Sequence, residues 1–328
     1  MNPGLFYFPK KGWSLKRRTL SYQSMNTKFH DLISEASKVV LDKNVEIRLA
    51  MTCLLAGGHL LIEDLPGVGK TTLVQVLGKL TGLKTRRIQF TIDLLPADAI
   101  GGQVFHPQEQ KFVFHPGPLF SQMVMADELN RASPRTQSAL LQAMEEGEVS
   151  VDGTTWPLPK PFYVIATQNP HQQTGTFPLP ESQLDRFLMS LELHHASKET
   201  EVRLLQGEDP RGRLQKISAL FTYGEIENAL SVVQSVTVSP VVAGYIAEIL
   251  ERSRRAGFEG APLSTRAGMA LVRAAKAWAF LEGRDYVRPD DVQQVLVPVL
   301  GHRLGGNHGI KRGREWAHAL QKATPVPV

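Results

Sequence analysis

Twelve consecutive residues, Leu61-Ile-Glu-Asp-Leu-Pro-Gly-Val-Gly-Lys-Thr-Thr72, constrain this chain more than any other stretch. The apolar run His59-Leu60-Leu61-Ile62-Glu63 reads as a short buried strand, and a helical pattern over 70–80 follows the glycine-rich turn. A strand, a glycine-rich loop and a helix in that order make a phosphate cradle. Gly67 and Gly69 let the backbone curl so that its N–H groups face phosphate oxygens. The helix start adds free N–H groups and the positive end of its dipole. Lys70 can reach the β- and γ-phosphates, and Thr71 can hold Mg²⁺. The expected nucleotide-binding stretch is therefore Asp64, Leu65, Pro66, Gly67, Val68, Gly69, Lys70, Thr71 and Thr72. Asp64 stands where G-x-x-x-x-G-K-[ST] has its first glycine, so its carboxylate must point away from the phosphates or find a partner.

The rest of the chain is consistent with a soluble two-domain protein. Its 328 residues suffice for about two cores. The single cysteine, Cys53, excludes an intramolecular disulfide and any multi-cysteine metal site, and fits a reducing, cytoplasmic setting. No run approaches the length of an apolar membrane span. The net charge of +5 equals the five cations Lys10, Lys11, Lys16, Arg17 and Arg18, and residues 1–25 hold no acid. The remainder is formally neutral, so the basic balance does not indicate a nucleic-acid-binding protein. Residues 1–25 read as a flexible basic tail without the apolar run of a signal peptide, and Met25 offers an alternative start.

Helical spacing is expected over 28–40 and 44–56, the second with Asp42 as a cap. Strands are expected at 85–90, 123–126, 162–166 and 188–193, with a helix over 134–146. Two hairpins are expected, at about 103–114 and 148–158. Strands alternating with helices argue for a mostly parallel sheet covered on both faces. After residue 195 clean strand signals disappear, with 232–238 ambiguous. Helices are expected at 198–206, 223–234, 239–254, 264–281 and 289–298, with loops at 209–213 and 257–262. The fold class is thus α/β, a P-loop αβα sandwich over 26–195 with a C-terminal helical lid over 196–328.

Met123-Val-Met-Ala-Asp127-Glu128 is a buried strand ending in two acids. Beside a P-loop, Asp127 would support Mg²⁺ and Glu128 would polarise the attacking water. Ala166-Thr-Gln-Asn169 ends the next strand, where an amide can hold that water. Arg186 and Arg266 are candidate phosphate arginines, each offering a fixed donor fork where the transition state gains negative charge. Arg186 suits a finger reaching into a neighbouring site. Arg266, beside a helix start that Ser264 can cap, could link nucleotide state to the domain angle. His106 and His115 flank the first hairpin but lack a third metal ligand. His194-His195 reads as a domain-boundary turn, Cys53 as packed, and Lys311-Arg312-Gly-Arg314 as a solvated basic patch.

Together these blocks resemble the MoxR branch of the AAA+ ATPases. The resemblance rests on 59–72, on Phe90-Thr-Ile-Asp-Leu-Leu-Pro-Ala-Asp98, and on Phe112 to Phe120. It extends through Ala126-Asp-Glu-Leu-Asn-Arg-Ala132, Thr136 to Glu145, Val149 to Gly153, Ala166 to Pro170, and Pro180-Glu-Ser-Gln-Leu-Asp-Arg-Phe187. It implies ATP and Mg²⁺ as ligands. Lys70 and Thr71 fall on Walker A, and Asp127 and Glu128 on Walker B. Asn169 falls on sensor one, Arg186 on the arginine finger and Arg266 on sensor two. The hairpins match insertions that face a central pore. Asp42-Lys43 replaces a Gly-Gln that often lies near adenine, which leaves the adenine contacts unassigned. The resemblance further implies a homo-oligomer, a hexameric ring, and chaperone-like maturation or activation of a partner. That partner would carry a von Willebrand factor A domain, and it could be membrane-anchored. No direct nucleic-acid contact is expected. A nucleic-acid-linked motor and a nucleotide-gated binding module with negligible turnover are the alternatives. The first is disfavoured because Lys111 is the only lysine or arginine between Gln103 and His115. The second is disfavoured by the presence of Glu128, Asn169 and both arginines.

Overall fold

The computed structural model describes residues 22–63, 67–108, 110–169 and 175–327. The expected tail up to residue 21, and Asp64, Leu65 and Pro66 of the phosphate loop, lie outside them. The chain begins with α1 (Tyr22–Ser37) and α2 (Asn44–Leu55), then β1 (Leu60–Glu63), α3 (Lys70–Thr81), β2 (Thr85–Gln89) and α4 (Pro96–Ile100). A hairpin of β3 (Gly101–His106) and β4 (Lys111–Pro116) leads to β5 (Met123–Asp127) and α5 (Pro134–Glu146). A second hairpin, β6 (Glu148–Val151) and β7 (Thr154–Pro157), precedes β8 (Tyr163–Gln168), α6 (Glu181–Leu184) and β9 (Met189–Leu191). Seven α-helices follow among the described residues, α7 (Lys198–Leu205), α8 (Pro210–Lys216), α9 (Tyr223–Ser235), α10 (Pro240–Arg252), α11 (Thr265–Leu281), α12 (Pro289–Leu304) and α13 (Gly309–Ala323), with one isolated bridge of Thr237 to Tyr286 in the ambiguous 232–238 segment.

The central sheet has the order β2-β5-β8-β1-β9 and is parallel throughout. Strands β1, β5, β8 and β9 are buried on both faces, so their successive side chains enter different layers, whereas edge strand β2 is mostly exposed. Leu60, Ile62, Met123, Met125, Tyr163 and Ile165 join the core built with α1, α2 and α3. Leu61, Val124, Ala126, Val164 and Ala166 join the core built with α5 and the bases of the hairpins. This alternation is what makes the three-layer αβα sandwich. It also places the C-terminal ends of β1, β5 and β8 side by side, where ligands of open parallel sheets bind.

The helical lid is welded to the sandwich. Phe29 of α1 stacks on Phe221 at 4.3 Å between ring centroids and meets Phe280 of α11 edge-on at 5.8 Å. Arg303 of α12 is buried and donates to Asp185 Oδ1 at 2.7 Å and to the Phe187 carbonyl at 2.8 Å. Where α12 meets α13, a Cβ on Gly313 would lie 2.0 Å from the Gly301 carbonyl oxygen, so only glycine allows the approach.

Several elements depart from expectation. α1 starts six residues before the expected position 28 and includes Met25, because Tyr22 packs edge-on against Phe280 and donates to the Arg284 carbonyl. Asp42 does not cap α2. It takes a left-handed conformation (φ 59°), and its carboxylate accepts from the backbone N–H and hydroxyl of Ser197 at 2.9 and 2.7 Å. The expected loop 209–213 is part of helix α8, whose first residue is Pro210, a position that tolerates the missing N–H. α12 continues through Pro298 to Leu304. Arg314 of the supposed solvated patch is mostly buried and paired with Glu192, whereas Arg312 is half-exposed and bridges Glu259 and Glu315.

Candidate nucleotide site

The loop after β1 enters α3 through Gly67 and Gly69 at φ +91° and +98°. Among the described residues nothing lies within 4 Å of a Cβ added to either, so backbone conformation requires glycine there. Gly69 caps α3 without a side-chain hydrogen bond, and the helical ladder starts with Leu73 N–H on the Gly69 carbonyl at 3.0 Å. The first turn carries no acid, so its N–H groups and dipole end suit an anion.

Beside this loop is a cleft of ≈ 380 Å³ walled by two segments, 39–43 and 195–210. Lys43 Nζ donates to the His195 carbonyl at 3.1 Å, and Asp42 binds Ser197, so the segments are stapled together. The Ser197 hydrogen bonds hold the Asp42 carboxyl below its ordinary range. Val40, Leu204 and Thr200 line the cleft, a mixed apolar and polar wall of the kind that a base requires.

The ends of β5 and β8 form one hydrogen-bonded unit. Thr167 Oγ1 donates to Asp127 Oδ1 at 2.6 Å and accepts from the Glu128 N–H at 2.9 Å. Glu128 is left-handed (φ +56°), an uncommon state for this residue type that the Thr167 bond secures. Its carboxylate accepts from Asn169 Nδ2 at 3.3 Å and Gln89 Nε2 at 3.0 Å, and pairs with Arg131 at 3.1 Å. Asn169 is buried, with its backbone bound to Asn130 on both sides. Arg87 donates from Nε and one Nη to Asp127 Oδ2 at 3.1 and 2.5 Å. Thr167, Gln89, Arg87 and Asn130 carried no separate expectation. The signal for the β2 pair was its alternation at positions 87 and 89, but its meaning depends on β2 lying next to β5.

Thr71 and Asp127 offer hydroxyl and carboxylate oxygens, a hard donor set that suits Mg²⁺. Among the described residues no group of three or more His, Cys, Asp and Glu could hold a metal alone.

The two candidate arginines share one acid, Glu145. Arg186 donates to the Leu141 carbonyl at 2.6 Å and pairs with Glu145 at 2.8 Å. Arg266, capped into α11 by Ser264, reaches Asp185 at 3.4 Å and Glu145 at 4.0 Å. In the first hairpin, His106 and His115 approach to 3.3 Å, and Phe112 at its far end is 66% exposed. Phe114 at its base stacks on Trp156 of the second hairpin at 4.5 Å, which couples the two. Cys53 is buried, and His194 takes a left-handed conformation (φ 55°). No helix among the described residues is long and apolar enough to cross a membrane.

Residues 59–189 match the model of the ATPase family associated with various cellular activities (AAA), and residues 261–317 match the AAA lid domain. YeaC of Bacillus subtilis (strain 168) is 42% identical over 279 residues, covering 84% of this chain and 87% of its own. Chaperone MoxR1 of Mycobacterium tuberculosis is 35% identical, covering 83% and 74% respectively. Protein MoxR of Paracoccus denitrificans is 31% identical, covering 85% and 89%. A crystal structure of a proposed ATPase from Cytophaga hutchinsonii superposes with a TM-score of 0.82 at 34% identity, covering 94% of this chain and 97% of that one.

Proposed function

The chain belongs to the MoxR family of AAA+ ATPases, and on that premise we propose that it hydrolyses ATP to remodel or activate a partner protein. The observation that carries this reading is the Thr167-anchored unit of Asp127, Glu128 and Asn169 at the strand ends beside the phosphate loop. The base enters the cleft between 39–43 and 195–210. The phosphates lie along 64–72, with Lys70 on the β- and γ-oxygens. Thr71 and Asp127 would hold Mg²⁺, which would supply neutralisation of charge on the phosphate oxygens. Glu128 polarises the attacking water and Asn169 orients it. Arg186 acts from a neighbouring subunit of a ring, which we take as hexameric, and Arg266 reports nucleotide state to the lid.

The coupled hairpins carry that change to the client. The reading includes a cytoplasmic location and a partner with a von Willebrand factor A domain, itself soluble or membrane-anchored. Its test is ATPase rate and particle mass measured together across protein concentration, with and without ATP–Mg²⁺. Specific activity rising as a ring-sized species appears is the expected result. Full activity in a monomer would remove Arg186 from the neighbouring site. Nucleotide binding without turnover at any concentration would replace the motor with a nucleotide-gated binding module.

A further inference from the structure

Asp127 already carries a cation. Both donors that Arg87 aims at it, Nε at 3.1 Å and Nη at 2.5 Å, fall on the same oxygen, Oδ2. The other oxygen, Oδ1, takes the Thr167 hydroxyl at 2.6 Å. A carboxylate oxygen has two lone pairs, so the guanidinium fills Oδ2. Asp127 is buried, and its remaining acceptor capacity is small.

Arg87 comes from β2, one of the two edge strands of the central sheet, and its side chain is 53% exposed. It lines an open groove of ≈ 700 Å³ together with Thr71, Thr72 and Gln75. The guanidinium that sits on Asp127 thus shares a groove with Thr71. That open groove also gives it room into which it can withdraw.

We propose that Arg87 is a displaceable counter-ion of Asp127 that sets the Mg²⁺ concentration at which the nucleotide site loads. The inference rests on the reading of Asp127 as a group that serves Mg²⁺. A hydrated divalent cation needs acceptors on that carboxylate for its water shell. Arg87 occupies them and repels the incoming ion. In the metal-free site the same contact neutralises a buried carboxylate that would otherwise be costly. Loading exchanges one cation for another, so Arg87 acts as a positioning residue that opposes premature metal binding.

The test is Mg²⁺ titration of the full chain with ADP, followed by calorimetry or by the polarisation of a fluorescent ADP, at constant ionic strength. Binding is read directly, so turnover plays no part. In Arg87→Gln the half-saturating Mg²⁺ concentration is expected to fall by about threefold or more, because the competing charge is gone. Arg87→Lys keeps the charge but loses the two-donor fork, and should fall between wild type and Arg87→Gln. A smaller change in Arg87→Gln, or a rise, overturns the inference while Asp127→Asn still weakens Mg²⁺ binding. If Asp127→Asn binds Mg²⁺ as wild type does, Asp127 leaves the metal site and the inference falls with it. Equal thermal midpoints of wild type and variants establish that each is folded.

Discussion

Replacing Thr167 by valine keeps the shape of the side chain and removes one oxygen, which makes it a sharp test of how the site is held. Thr167 is 1% exposed, so water cannot take over the lost bonds. Two partners are stranded: Asp127 Oδ1, now 2.6 Å from the hydroxyl, and the Glu128 N–H, now 2.9 Å from it. A hydrogen bond to a charged acceptor contributes about 1.5–3 kcal/mol, and a buried N–H left unpaired costs about 1–3 kcal/mol. Asp127 keeps Arg87, which softens the first loss. The expected destabilisation is therefore about 3 kcal/mol. Glu128 also loses the bond that secures its left-handed backbone, so it drifts from Asn169, and turnover should fall by at least about tenfold. Urea unfolding followed by tryptophan fluorescence, with ATPase rate on the same samples, measures both. Thr167→Ser retains both bonds and should behave nearly as wild type. If Thr167→Val stays within about 0.5 kcal/mol of wild type with full turnover, the hydroxyl does not organise the site.

Lys70→Ala should lose nucleotide binding, read as disappearance of the rise in thermal midpoint that ADP produces in wild type. Arg303→Met strips a buried guanidinium from Asp185 and from the Phe187 and Leu188 carbonyls, and should cost about 3 kcal/mol in urea unfolding. Stability should also depend on acid pH. Burial pushes the His59 imidazole down from 6.5 to about 4, and burial with the neighbouring Arg303 charge holds His302 well below its ordinary value. Both are neutral in the folded protein and protonate in the unfolded chain. Their contribution is therefore complete above about pH 6.5 and is lost as pH falls toward 4, His59 alone accounting for about 3 kcal/mol. Urea midpoints from pH 8 to 4 should show this slope, and His59→Gln should flatten it.

What the sequence made legible followed from local physics. Buried strands ending in polar residues, the 67–69 glycine turn and the 134–146 helix, capped by Ser133, need little tertiary context. Asp127, Glu128 and Asn169 could be named because they end consecutive core strands, and the structure brings them together. Arg87 and Gln89 were out of reach, since a strand pattern does not reveal its neighbour and their role exists only because β2 borders β5. Thr167 lay inside a recognised block, but which of its atoms would face Asp127 depends on the register of β5 on β8. Asp42 misled because its cap-like position competes with Ser197, which is distant in sequence. Arg314 looked solvated because a basic run normally is, and Glu192 becomes its partner only when α13 crosses α12 on glycines. The pairing of Arg186 and Arg266 through Glu145 likewise depends on how the lid meets the sandwich.

The central claim is that Glu128, held by Asn169 and Gln89, drives ATP hydrolysis. Glu128→Gln tests it most directly, because the amide keeps the size of the carboxylate but cannot polarise water as a base. ATP affinity and steady-state turnover should be measured on the same preparation at saturating ATP–Mg²⁺. The account predicts affinity within a few-fold of wild type and turnover reduced by about a hundredfold or more. Wild-type turnover in that variant would contradict it.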